Sequence, residues 1–313
     1  MGDPILVTVS GGWAIPGAVI LAFLATAAAS FDAALTARAE GVAARSALLA
    51  PVREVARLLR QSRRTTVAAD KLLWRAGTSG LVAIALLMIA VVPLGRWTLA
   101  DLSVGVVWFN ALDVFVWALV WLTGWGPNSA YALVGGYRFL AQALAYELPL
   151  MFALIAPAVG ARSLRVGDIV AAQDGLWFVV WMPIAFVVYC GGVAGFAVWG
   201  PFSPALSSDL AGGVEAELSG VDRLLFVGGR YAVLAAGTAF AIPLFLGGGA
   251  GPLLPAWIWT VVKTVVLLGV MVWLGHKLPI ARPDRFLEAA WVIVLPLALA
   301  QDLLVALVAV WRT

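Results

Sequence analysis

The chain has 313 residues, of which 63% are hydrophobic and only 12% are charged, and its formal net charge is +3. Because soluble domains carry about 25% charged residues, this composition excludes an ordinary soluble fold and predicts an integral membrane protein. The single cysteine, Cys190, excludes a disulfide framework. With only one histidine in addition, His276, the chain lacks the ligand set of a haem, an iron–sulfur cluster or a structural zinc. We therefore expect no metal and no cofactor bound by this chain itself.

Eight apolar runs follow one another along the chain, each close to the roughly 20 residues that a spanning helix needs. They cover residues 13–35, 77–98, 104–124, 137–160, 176–199, 224–246, 254–275 and 289–311. Strands of a membrane barrel would be shorter and would alternate in polarity. The sequence thus predicts an all-α membrane bundle of about eight helices, formed by one domain over residues 1–313.

The distribution of basic residues orients the predicted bundle. Nine of the twenty Lys and Arg residues lie in the segment 36–75, and four more lie in 200–223 and 276–288. Basic residues concentrate on the cytoplasmic side of membrane proteins. These three segments are therefore predicted to be cytoplasmic, which places both termini outside. The outer side keeps Arg96, Arg162, Arg165 and Arg312.

The first cytoplasmic segment has the pattern of an amphipathic helix. One face carries Leu48, Val52, Val55 and Leu59, and another carries Arg53, Arg57, Arg60 and Arg64. Such a helix either lies among the lipid headgroups and only sets the topology, or it forms the floor of a cavity on the lipid side.

Several ionisable residues fall inside the predicted spans, where a charge is costly and usually faces the bundle interior, and six of them are singled out here. They are Asp113, Arg138, Glu147, Arg230, Lys263 and Asp302. Glu147 stands two residues before Pro149, which has no N–H and leaves the carbonyl of Ala145 without its helical donor. A carboxyl at such a polar spot is suited to carry protons. The alternative is a structural Glu–Arg pair. For Arg230 we expect a carboxylate partner, either Glu147 or Asp113.

The segment 126–150, GPNSAYALVGGYRFLAQALAYELPL, resembles the H subunit (subunit 1) of the proton-pumping NADH-quinone oxidoreductase, complex I. That family carries S-N-S-K-Y-A-L-L-G-G-x-R-x-x-A-Q-x-x-S-Y-E-x-P at this place. The matching residues are Asn128, Ser129, Tyr131, Gly135, Gly136, Arg138, Gln142, Tyr146, Glu147 and Pro149.

Shorter matches extend over most of the chain. APVREVARLL (50–59) resembles the family's Q-P-L-A-D-x-x-K-L-L, and ADLSVG (100–105) resembles A-D-L-N-I-G. VEAELSG (214–220) resembles N-T-E-Y-S-G, which places Glu217 on the family glutamate, and LPIARPD (278–284) resembles L-P-R-F-R-Y-D.

The chain also departs from the family pattern. The R-I-G-P-N-R-x-G-P run after the first span is absent, and Arg230 replaces the acid of G-E-Y. Phe196, Trp199 and Ser203 stand where the family has Glu, Arg and Asp, and Asp209 alone remains of an acid-rich run. These departures also suit the related membrane subunits of energy-converting hydrogenases and formate hydrogenlyase, which share the fold.

The resemblance implies a non-redox-centre subunit in the plasma membrane of a prokaryote, in contact with membrane-arm and peripheral-arm partners, lipid and quinone. NADH, FMN and iron–sulfur clusters, or nickel–iron in the hydrogenase alternative, would belong to the partners. The cytoplasmic segments 36–75 and 200–223 would dock a peripheral subunit. Nucleic acid is not expected as a partner. A secondary transporter is a third possibility, but the sequence has no internal repeat.

The site residues that the resemblance and the buried charges imply fall into two groups. The hypothesised proton path consists of Glu147, Arg138, Asp113, Arg230, Glu217 and Asp209. The hypothesised quinone cavity consists of Arg53, Glu54, Arg57 and Tyr146.

Overall fold

A computed structural model describes residues 6–311 of the chain, with the side chain of Ser46 excepted. Arg312, counted above on the outer side, lies outside the described residues. Seven helices within this range are long and apolar enough to cross a membrane. They are Gly11–Ala39, Lys71–Ile89, Gly105–Trp125, Ala130–Ala161, Gly220–Phe245, Ala256–Lys277 and Pro283–Trp311. The prediction of an all-α membrane bundle is confirmed.

The helices in chain order are α1 (Ala14–Ala39), α2 (Ala44–Ala47), α3 (Ala50–Arg60), α4 (Lys71–Ile89), α5 (Gly105–Trp125), α6 (Ala130–Ala161), α7 (Val166–Ala171), α8 (Phe178–Trp181), α9 (Pro183–Phe196), α10 (Gly220–Phe245), α11 (Ala256–Lys277), α12 (Pro283–Ala289) and α13 (Leu295–Trp311). A π-helical turn, Ala290–Val294, joins α12 to α13, and four 3₁₀ turns lie between Gly200 and Glu215. Two short strands, β1 (Val7–Thr8) and β2 (Trp97–Thr98), pair in parallel.

The fifth predicted span, 176–199, is not one continuous helix. It consists of α8 and α9, which meet at Met182, a residue with φ −120° and ψ 47° that belongs to neither helix. Pro183 follows at the first position of α9, where its missing N–H costs no helical hydrogen bond. A proline at this place ends α8 and starts α9, so the predicted span is divided into two shorter helices.

Two other helix ends differ from the predicted spans. α6 begins at Ala130, seven residues before the predicted start at 137, so Arg138 lies two turns inside the helix. α4 ends at Ile89 rather than near 98, because the chain turns there and then forms β2. The predicted amphipathic helix is present as α3, which buries Leu58 and exposes Leu59.

Close helix packing in the interior depends on small residues. A Cβ added to Gly229 of α10 would lie 2.6 Å from the Cβ of Leu81 in α4, so these two helices approach closely only because glycine is there. Phe109 of α5 stacks on Phe240 of α10, with ring centroids 4.0 Å apart. Both aromatic side chains are fully buried, and they fix α5 against α10 at the centre of the bundle.

The three segments predicted to be cytoplasmic lie together at one end of the bundle, which we call the basic face. They are 36–75, 200–223 and 276–288. Arg63 forms a 3.4 Å ion pair with Asp222. The amide of Ala281 donates a 2.8 Å hydrogen bond to the carbonyl of Pro201. The shared end is consistent with the predicted topology, in which all three segments are on one side of the membrane.

Candidate functional site

Two carboxyl groups face each other in the interior of the bundle. Asp113 lies on α5 and is fully buried, and Glu147 lies on α6 and is 8% exposed. The two carboxyls are close enough to interact electrostatically, and Asn110 lies near Glu147. Among the ion pairs that the described residues form, none includes either acid. We call Asp113 and Glu147 the acid pair.

The acid pair places two carboxyl groups close together, away from water and from any described cation. None of the four carboxyl oxygens accepts a well-formed hydrogen bond from a described donor. Two ionised carboxylates are both acceptors, so they form a hydrogen bond only when one of them is protonated. Two like charges at this distance in a medium of low dielectric constant also repel strongly. The arrangement can therefore hold a proton and pass it on.

Tyr146 lies beside the acid pair rather than with the other predicted quinone residues. Its buried phenol is within reach of the indole of Trp117 and within electrostatic range of both acids. The ring of Tyr146 also lines an apolar cavity of about 490 Å³ between α6, α9 and α13. This residue therefore connects the polar α5–α6 interface to an apolar space.

Arg138 binds an acid at the basic face and does not contact Glu147. Its guanidinium donates to Asp209 at 2.7 Å and 3.2 Å and to the hydroxyl of Ser207 at 3.0 Å. The hydrogen bonds from Arg138 and Ser207 lower the pKa of Asp209 to about 2. Arg138 and Asp209, both predicted for the proton path, thus form one exposed ion pair.

The predicted partner of Arg230 was wrong. Arg230 pairs with Glu215 at 2.8 Å and also donates to the backbone carbonyl of Val198 at 2.5 Å. Arg223 is a second, more distant partner of Glu215, at 3.8 Å. The reason is that the 3₁₀ turns before α10 fold back over its first turns and bring Glu215 under Arg230.

Glu217, the last residue of the predicted proton path, lies at the basic face. It accepts a 2.8 Å hydrogen bond from Ser129, at the start of α6. The two best sequence matches, GPNS and EAELSG, therefore touch each other in the structure. The predicted path divides into the acid pair in the interior and a set of compensated charges at the basic face.

A second cavity, of about 570 Å³, opens between α1, α3 and α10 next to the basic face, and we call it the basal cavity. Glu54 lines it, whereas Tyr146 is in the other cavity. Arg57 donates two hydrogen bonds to Glu54, of 2.7 Å and 2.5 Å, and this contact lowers the pKa of Glu54. Arg53 is next to Glu54 in α3 but is not a lining residue. Of the four residues predicted for the quinone cavity, only Glu54 lines the basal cavity.

Three residues that the sequence reasoning missed form a hydrogen-bonded chain at the wall of the basal cavity. The hydroxyl of Tyr231 (α10) donates to one oxygen of Asp32 (α1) at 2.7 Å. Nε2 of His276 (α11) lies 2.7 Å from the other oxygen. The available signal was that His276 is the only histidine, since a single histidine at the end of a span suggests a polar partner.

The fold and these sites define a class of protein, a polytopic membrane bundle that keeps an uncompensated pair of acids in its interior. Within the described range, no group of three or more His, Cys, Asp and Glu side chains could hold a metal ion.

Comparison with known proteins agrees with this class. The family model described as NADH dehydrogenase matches residues 11–306. The chain is 35% identical to an NADH-quinone oxidoreductase H subunit, the second of that name, from Geobacter sulfurreducens, over 82% of each chain. It is 36% identical to the first H subunit of Geobacter metallireducens, over 82% of this chain and 81% of the relative. It is 42% identical to the second H subunit of Cereibacter sphaeroides, over 69% of each chain. The chain belongs to the family of NADH-quinone oxidoreductase H subunits.

Proposed function

We propose that this chain is the H-type membrane subunit of a respiratory NADH-quinone oxidoreductase complex in a prokaryotic plasma membrane. Its own contribution is a proton-carrying acid pair and part of a quinone cavity, while NADH, FMN and iron–sulfur clusters belong to partner subunits. Family membership supports the assembly, since the relatives are named as subunits of such a complex. Their bacterial origin supports the location.

The observation that carries the proposal is the acid pair. A structural role for Glu147 would require a cation beside it, but Arg138 and Arg230 are held by Asp209 and Glu215 at 2.7 Å and 2.8 Å. A buried carboxyl that pairs with another carboxyl neutralises nothing, and retaining it is unfavourable unless it serves proton transfer.

The basal cavity supplies a place for the quinone. Eleven of its fifteen lining residues are glycine, proline or aliphatic side chains, which suits an isoprenoid tail. Four polar side chains in the same wall could bind a headgroup. The cavity lies beside α3, within the segment predicted to face the peripheral subunit. We propose the cytoplasm as the location of the basic face, with both termini outside.

The acid pair is tested by Glu147→Gln in the assembled complex reconstituted into vesicles. Glutamine keeps the volume and hydrogen bonding of the side chain but cannot exchange a proton. We expect normal subunit content and normal NADH oxidation with ferricyanide, but proton uptake coupled to quinone reduction lowered by about 10²-fold or more, as for loss of a general acid–base. Asp168→Asn, which removes an exposed carboxyl outside the long apolar helices, serves as the control and should keep coupling. Full proton uptake with glutamine at position 147 would refute the proposal.

The cavity is tested by Gly228→Leu. A side chain at Gly228 would project into open space in the basal cavity, so leucine fills the cavity without a clash. Gly269→Leu in α11 is the matched control, because Gly269 also faces open space but lines neither cavity. We expect Gly228→Leu to reduce quinone-dependent turnover at least tenfold and to spare ferricyanide reduction, and Gly269→Leu to change neither. Equal turnover in both variants would exclude the basal cavity as the quinone site.

A further inference from the structure

The polar side chains of the basal cavity have few hydrogen-bond donors. Only four of the residues that line it have polar side chains, namely Thr26, Asp32, Glu54 and Tyr231. Asp32 and Glu54 are carboxylates, which accept hydrogen bonds and cannot donate when ionised. Thr26 and Tyr231 carry one hydroxyl hydrogen each. Whether a side chain of the wall offers a donor to a ligand therefore depends on where those two hydrogens point.

Both hydroxyl hydrogens are already used. The hydroxyl of Thr26 donates to the backbone carbonyl of Ala22 at 2.7 Å. The hydroxyl of Tyr231 donates to Asp32 at 2.7 Å. The remaining lone pairs of both hydroxyl oxygens are free to accept. The four polar side chains of the wall thus present acceptors to whatever occupies the cavity.

This pattern selects between the two redox forms of a quinone. An oxidised quinone has two carbonyl oxygens and needs donors, whereas the reduced quinol has two hydroxyl groups and needs acceptors. We propose that the basal cavity binds the quinol in preference to the quinone, through acceptance of a quinol hydroxyl by Tyr231 and Asp32. The proposal rests on the proposed function, since it takes the quinone couple as the occupant. It makes the basal cavity a site for the reduced product.

His276 is a positioning residue for this site. Its Nε2 lies 2.7 Å from the second oxygen of Asp32, and because an ionised carboxylate only accepts, Nε2 carries the hydrogen. This bond stabilises Asp32 as an anion and thereby keeps the hydrogen of Tyr231 directed at Asp32. Without it, the carboxylate of Asp32 could rotate away, and Tyr231 could turn its hydrogen towards the ligand.

The titratable groups around Asp32 come from three helices. Tyr231 approaches from α10 and His276 from α11, and Glu54 of α3 lies in the same cavity wall. Arg230 and Glu215 act on Tyr231 electrostatically, but they form their own 2.8 Å ion pair and largely compensate each other. His276 is therefore the cation that can act on Asp32 directly when it is protonated.

The experiment compares binding of decylubiquinol and decylubiquinone to the assembled complex in nanodiscs under anaerobic conditions. Only the binding that Gly228→Leu removes is counted, so that other quinone sites of the complex do not contribute. We expect the quinol to bind about three- to tenfold more tightly than the quinone, the range that one net hydrogen bond supplies. Tyr231→Phe removes one of the two assigned acceptors and should lower the ratio, while Asp32 keeps part of the preference.

Three further variants separate this role from a loss of folding. Tyr189→Phe is the matched control, because the hydroxyl of Tyr189 donates to the carbonyl of Gly237 at 2.8 Å, away from the cavity, and the preference should persist. Asp32→Asn introduces an amide donor and should shift the ratio towards the quinone, which a misfolded protein would not do. His276→Leu removes the donor to Asp32 and should weaken the preference, and His276→Gln should restore it.

Two results would overturn the proposal. Equal or weaker binding of the quinol by the unmodified complex would reject the preference while leaving the basal cavity as the quinone site. An unchanged preference in Tyr231→Phe would reject the assigned acceptor. If Gly228→Leu removed the binding of neither form, the cavity assignment itself would fail together with the preference, and that outcome is distinct from the other two.

Discussion

The ion pair between Arg230 and Glu215 allows a direct test of how much charge compensation stabilises this bundle. Both side chains are mostly buried, with 14% and 16% of their surface exposed, and they are 2.8 Å apart. Breaking a buried pair by removing one partner costs about 3–5 kcal/mol, because a charge stays behind without compensation. In Glu215→Gln, two backbone carbonyls still accept from Arg230, so we expect a loss near the lower end, about 3 kcal/mol.

Removing the arginine should lower the free energy of unfolding by less than removing the glutamate does. In Arg230→Met, Glu215 still has Arg223 at 3.8 Å, so we expect a loss of about 2 kcal/mol. The double variant removes both charges and should be more stable than the sum of the two losses predicts, by about 2 kcal/mol of coupling. The free energy of unfolding in mixed micelles is measured for the unmodified subunit, the two single variants and the double variant. The content of each protein in the assembled complex is measured beside it.

A matched control comes from the same face of the molecule. Arg138 and Asp209 form an equally short pair, at 2.7 Å, but 31% and 58% of their side chains are exposed. Solvent screens exposed pairs, so this cycle should show a much smaller coupling than the buried one. Additive losses in the Arg230–Glu215 cycle, within about 0.5 kcal/mol, would refute the view that burial makes this pair interdependent.

Three other predictions follow from the basic face and its packing. The pKa of Asp209 is about 2, below its ordinary value, so its ion pair with Arg138 contributes fully to stability above pH 4. This contribution is lost as the pH falls towards 2. Asp209→Asn should therefore remove that part of the pH dependence of thermal unfolding. Cysteines placed at the exposed residues Thr65 and Asp174 of a cysteine-free variant should be labelled from opposite sides of right-side-out vesicles, Asp174 from outside. Gly135→Ala should destabilise the subunit, since its Cβ would lie 2.6 Å from the amide nitrogen of Val214, whereas Gly228→Ala should be neutral or slightly stabilising in the same unfolding assay.

The helical architecture could be predicted because lipid imposes strong local constraints. A spanning helix must be long, apolar and continuous in sequence, and seven of the eight predicted runs correspond to such helices. The break at Met182 was not predicted, although Pro183 supplied the signal. The length of an apolar run does not show whether the run forms one helix or two. A proline within the run therefore indicates a place where one helix can end and another begin.

The side-chain partners could be predicted far less well, because they depend on distant parts of the chain. Asp32 and His276 are separated by 244 positions, and no local pattern relates them. Glu215 is only 15 residues from Arg230, but its position depends on a reversal of the chain at Gly212 and Gly213, both with positive φ. Consecutive glycines do suggest such a reversal, and it could have led to Glu215.

The contrast between the compensated charges and the acid pair is what connects the structure to function. Arg138 of α6 pairs with Asp209, and Arg230 and Arg223 of α10 share Glu215, all at the basic face. That leaves Asp113 and Glu147 in the interior with each other as partners. If the acids served only to neutralise these arginines, they would be unnecessary, and their replacement by apolar residues would be neutral or stabilising. Under the proposed function the acid pair exchanges protons, and its retention is a stability cost that packing alone does not explain.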